Sequence, residues 1–85
     1  MKHAGSASLD QLDNTLGLLR ELPGLSEKSR GVFYRRGKAF LHFHEDPTGL
    51  YADLRAGDVF ERYPVNTAAE RAKFVALVRV ALDQR

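Results

Sequence analysis

The chain contains no cysteine and no tryptophan, and only three prolines. Without thiols it can form neither a disulfide framework nor a thiolate metal site, a composition that suits a reducing compartment. No apolar run approaches the roughly 20 residues of a membrane-spanning helix. The opening Met-Lys-His-Ala-Gly-Ser-Ala-Ser is too short and too polar for a secretory leader. Residues 1–8 read as a flexible tail, no membrane partner is expected, and the cytoplasm is the expected location. Excess charge of one sign is also scarce: the formal net charge is +2, too small for a strong general affinity for nucleic acid. There is no glycine-rich phosphate loop, no nucleophile elbow, and no serine–histidine pair with a defined third partner. No catalytic residue is assigned, no cofactor is expected, and the chain is not expected to be an enzyme.

What is present is ordinary globular material. Of the 85 residues, 44% are hydrophobic and 28% charged, which excludes disorder and gives one domain over residues 9–85. Ser8 with Gln11 has the form of a capping box. Leu9, Leu12, Leu16 and Leu19 then recur at helical spacing, so a helix is expected over about residues 9–22, ending at Pro23-Gly24. Residues 23–31 read as a connection. Val32-Phe33-Tyr34 and Ala39 to Phe43 read as strands turning at Arg36-Gly37, followed by strands at Leu50–Arg55 and Val59–Tyr63. Thr67-Ala68-Ala69-Glu70 is a second capping box, opening a helix with Phe74, Val75, Leu77, Val78, Ala81 and Leu82 on one stripe. The expected fold is α+β: a four-stranded antiparallel sheet with the N- and C-terminal helices packed on one face, in the order α-β-β-β-β-α.

Asp46-Pro47-Thr48-Gly49 has the residue preferences of a type I turn, and it fixes a register. Leu41 then opposes Leu54, Phe43 opposes Ala52, His42 opposes Asp53 and His44 opposes Tyr51. Alternation puts Ala39, Leu41, Phe43, Leu50, Ala52 and Leu54 on one face, the expected core. Phe40, His42, His44, Tyr51, Asp53 and Arg55 share the other, and a turn at Arg36-Gly37 adds Phe33 beside Phe40. That is more aromatic surface than a soluble monomer exposes.

Three functions follow for this outer face. It could be a self-association surface, which makes the protein a non-enzymatic interaction domain and a homodimer. It could bind nucleic acid, with Phe33, Phe40 and Tyr51 stacking on bases while Arg35, Lys38 and Arg55 meet phosphates. It could hold a metal through His42, His44 and Asp53. Against the metal stands a plainer reading, in which His44 stacks on Tyr51 and His42 pairs with Asp53, whose charge would raise the His42 pKa. From Lys28 to His44 there are five basic residues and no acidic one before Glu45, which adds a weak attraction for anions.

The segments Leu22-Pro23-Gly24, Phe33 to Phe40 and Leu50 to Leu54 resemble the MmcQ/YjbR-like family of small α+β proteins. Gly37-Lys38-Ala39-Phe40-Leu41-His42-Phe43-His44 is similar to the luciferase-like domains of unknown function. Together the resemblances cover roughly residues 19–55. They imply an α+β sheet domain and, through the first family, a loose association with DNA binding.

Overall fold

The computed structural model describes residues 2–83; Met1 and residues 84 and 85, read above as parts of the tail and the domain, lie outside the described residues. The elements in order are β1 (Lys2–His3), α1 (Ser6–Gln11), α2 (Asp13–Arg20), β2 (Ser26–Ser29), β3 (Val32–Arg35), β4 (Lys38–Asp46), β5 (Gly49–Ala56), β6 (Val59–Pro64) and α3 (Ala68–Asp83). The class is α+β with an antiparallel sheet, but the sheet has six strands rather than four. Strands β2 to β6 form a meander in sequence order, and β1 pairs with β4. Since β5 occupies the other edge of β4, β1 and β3 lie end to end along the same edge.

Both additional strands lie in segments whose polarity hides them. Ser26-Glu27-Lys28-Ser29 has no apolar alternation because it is an edge strand with solvent on its flank. It is tied down by Glu27, which accepts from Arg20 Nε at 2.6 Å and from the Gly31 N–H at 3.0 Å. In place of a loose tail, Lys2 and His3 pair with Glu45 and His44, and the Ala4 N–H donates to the Phe43 carbonyl at 3.0 Å.

The expected N-terminal helix is two. The first begins at Ser6, and Ser8 lies inside it, so the anticipated capping box does not form. Its cap comes from across the sheet instead. The Glu45 carboxylate accepts from the Gly5 N–H and the Ser8 hydroxyl, placing a negative charge at the helix start. The break falls at Leu12, φ −93 and ψ 7, and it lets Leu9, Leu12, Leu16 and Leu19 all bury. At α3 the predicted box is present: Thr67 Oγ1 accepts from the Glu70 N–H and Glu70 Oε1 from the Thr67 N–H, both at 3.1 Å.

The register of β4 on β5 is the expected one, from Leu41 opposite Leu54 to Glu45 opposite Leu50. Leu41, Phe43, Ala52 and Leu54 therefore bury in one cluster with the leucines of α1 and α2 and with Phe74, Val75 and Val78 of α3. Asn66 closes the far end. Its Oδ1 accepts from the Leu50 N–H at 2.7 Å, its Nδ2 donates to the Leu50 carbonyl at 3.2 Å, and a Cβ on Gly49 would collide with it. Among the described residues no helix is long and apolar enough to cross a membrane.

Phe43 is 2% exposed at the centre of this cluster, with its ring 5.9 Å from that of Phe74. Replacing it with alanine is expected to lower the unfolding free energy by about 3–5 kcal/mol. Thr67→Ala, which removes a cap, is expected to cost about 1 kcal/mol. Urea denaturation measures both, and a Phe43→Ala protein as stable as the parent would contradict the core described above.

Candidate metal centre

Alternation along β4 sends His42 and His44 to the face opposite the core, as read from the sequence. The third member comes from the start of the chain. Directly opposed residues of an antiparallel pair share a face, and His3 opposes His44. The chain has three histidines in all, and they meet here. Ring centroids lie 4.7 Å apart for His42 and His44, 4.9 Å for His3 and His44, and 5.6 Å for His3 and His42. One ring nitrogen from each can be chosen so that all lie within 4.8 Å of one another.

Around the rings is a polar frame. His42 Nδ1 is 2.7 Å from His44 Nε2, which is also 3.2 Å from Asp53 Oδ2. Asp53, with its side chain 9% exposed, is gripped by Arg62 through two parallel bonds of 2.8 and 2.9 Å. That fork holds the Asp53 carboxyl below its usual range. The expected pairing is thus exchanged: Asp53 meets His44 rather than His42. Instead His42 packs against Phe60, ring centroids 4.9 Å apart, and the Tyr51 hydroxyl bonds Thr48 Oγ1 at 2.7 Å.

The His42 pKa is lowered, against the expectation. Burial disfavours its cation most, followed by the neighbouring His44, and the opposing pull of Asp53 is smaller. A neutral imidazole keeps a lone pair for a metal. His44 contributes a second signal: its Nδ1 is buried with no hydrogen-bond partner among the described residues, an arrangement that ordinarily costs about 1–3 kcal/mol.

The remaining predicted site residues lie elsewhere. Phe33 opposes Leu41 and is 1% exposed, so it belongs to the core and not to the outer face. The cause is a bulge. The turn at Arg36-Gly37 forms as expected, with Arg35 opposite Lys38 and Tyr34 opposite Ala39, but the register then slips by one at Phe40. One extra residue reverses the face of everything beyond it. Phe40 itself is 6% exposed and packs in the core. Two of the three aromatics on which the homodimer and nucleic-acid readings leaned are therefore inside. Arg35, Lys38 and Arg55 gather at the other end of β4, away from the histidines, around a separate cleft.

Three residues of the centre escaped the sequence reading: His3, Arg62 and Phe60. Arg62 and Phe60 were within reach. A two-residue turn at Gly57-Asp58 puts Arg62 opposite Asp53 and Phe60 opposite Arg55, as observed. His3 had no such signal, because a two-residue strand carries no periodicity. Comparison with protein-family models, curated proteins and solved structures finds no match to the chain.

Because the folded protein holds His42 neutral below its ordinary value of 6.5, the unfolded chain takes up the proton first. Stability is then full above about pH 6.5 and falls as the pH drops through that value. The carboxylates of Asp53 and Glu27, held below their usual range, add losses only in stronger acid, below about pH 4. Urea midpoints between pH 8 and 5 are expected to show the upper decline, and His42→Gln to flatten it. An equally steep decline in His42→Gln would assign the effect to another group.

Proposed function

We propose that this domain binds a divalent transition metal, Zn²⁺ being the best match, through His3, His42 and His44. The observation that carries the reading is the convergence of every histidine in the chain from two strands distant in sequence. Imidazole suits Zn²⁺, Cu²⁺ and Ni²⁺, and three protein ligands leave a fourth position for solvent or a small ligand. Zn–N bonds of about 2.0–2.1 Å need ligand nitrogens roughly 3 Å apart or more. His44 Nε2 already meets His42 Nδ1 and Asp53, so His44 would ligate through its unpartnered Nδ1 and His42 through Nε2. Asp53, fixed by Arg62, acts from behind as the carboxylate that sets the tautomer and angle of a ligating ring.

This reading takes up the metal alternative, with His3 in place of Asp53 as the third ligand and Asp53 moved to the supporting position. Self-association and nucleic-acid binding through an aromatic face are weakened in proportion to the loss of Phe33 and Phe40.

Untagged protein stripped with EDTA and titrated with ZnCl₂ is expected to take up about one equivalent. The melting temperature should rise, since metal at 100 times its dissociation constant adds about 2.7 kcal/mol. Alanine at His3, His42 or His44 should weaken binding strongly, and Asp53→Asn by about 10–100-fold. A stoichiometry well below one, with no thermal shift for Zn²⁺, Cu²⁺ or Ni²⁺, would reject the proposal.

A further inference from the structure

At the end of the sheet remote from the histidines, the β3–β4 turn, the start of the β5–β6 turn and the last turn of α3 enclose an open cleft of about 370 Å³. Four of its seven lining residues are Arg35, Arg36, Lys38 and Arg55, and none is acidic. We propose that this cleft binds a small phosphorylated molecule carrying at least two negative charges.

Three observations carry the proposal. The first is that three of these cations lack a carboxylate partner. Arg20, Arg30 and Arg62 are each paired with a carboxylate. Among the described residues, Arg36, Lys38 and Arg55 have no such partner within ion-pair distance. Their charges converge on one concavity, where fields of like sign add and draw in anions.

The second is backbone conformation. The turn that carries Arg36 has positive φ at both central positions, 54 at Arg36 and 80 at Gly37. Such turns favour asparagine, aspartate or glycine at the first of these. Among the described residues, Arg36 is the one non-glycine residue with positive φ. A long cation is thus held in a conformation that a smaller residue adopts more easily, at the mouth of the cleft.

The third is preorganisation. Arg35 donates to the carbonyls of Ala81 and Leu82, both at 3.1 Å, which fixes its guanidinium against the end of α3. Arg55 Nε donates to the Ala39 carbonyl at 2.6 Å. Two guanidinium groups are therefore set in place, while Arg36 and Lys38 reach from the exposed rim. Guanidinium forks match phosphate oxygens. The size is that of a small-ligand site. Phe40, the one aromatic in the lining, is buried with the Arg35 guanidinium over its ring, so a compact phosphate group suits the cleft better than a base-stacking nucleic-acid strand.

The test uses the full chain, treated with EDTA to separate this site from the histidine centre, and isothermal titration with inorganic pyrophosphate and with ATP. Expected is one site that weakens as salt is raised. Arg36→Asn should lose affinity by about tenfold while melting at the same or a higher temperature, because asparagine is at home in that turn. Lys38→Gln should weaken binding too, and His42→Ala should leave it unchanged. The proposal is overturned if neither probe binds at low salt. Undiminished affinity in both Arg36→Asn and Lys38→Gln would also overturn it. So would tighter binding of a single-stranded oligonucleotide than of ATP, which would transfer the cleft to a macromolecular partner.

Discussion

Pairing of β4 with β5 in a single register governs both faces of the molecule. With Leu41 opposite Leu54 and Phe43 opposite Ala52, the core side is continuous and the leucines of α1 and α2 have a surface to cover. The same pairing puts His42, His44 and Asp53 together on the reverse. A slip of β4 by one residue would turn Phe43 to water and press two imidazoles into the core. Hydrophobic burial therefore specifies the polar centre as well. Asn66 secures the open end of the neighbouring β5–β6 hairpin by bonding both backbone groups of Leu50.

The outer face is a set of dependent electrostatic choices. A carboxylate as sheltered as Asp53 is tolerable because Arg62 meets it with two bonds across the β5–β6 pair. With Asp53 kept anionic, His44 has an acceptor, while burial, and after it the neighbouring His44, lowers the pKa of His42. The Arg62 guanidinium, exposed to solvent along one side, is what allows a negative charge to sit beneath the histidines. The opposite end of β4 shows the reverse condition: among the described residues, Arg36, Lys38 and Arg55 have no carboxylate within ion-pair distance.

Much of this was readable in the amino-acid order, and the rest was hidden for physical reasons. Strong local signals carried through: the Asp46–Gly49 turn, the capping box at Thr67 and the alternation along β4. The bulge at Phe40 could not be read, since an inserted residue leaves the composition of a strand unchanged while inverting its far half. Strand β2 is polar because edge strands are, and β1 is too short to have a pattern. The cap of α1 was sought next to it in sequence, at Ser8, when it lies 40 positions away from Gly5 on Glu45. Of the centre, the two residues on β4 were visible and the third was not. Position 3 acquires meaning only once the sheet exists.

Strand order has a kinetic consequence. From β2 to β6 every neighbour in the sheet is also the neighbour in sequence, so each pairing closes only a short hairpin and can form early. Strand β1 differs, because bringing His3 to His44 closes a loop of about 40 residues. The entropy of such a closure grows with the logarithm of its length, against which two backbone pairs are a small return. The meander can thus assemble without β1, which docks onto a sheet already built and is the part most readily released from it. The three-histidine cluster accordingly has an order of assembly, two rings being presented first by the β4–β5 hairpin and the third delivered afterwards by β1.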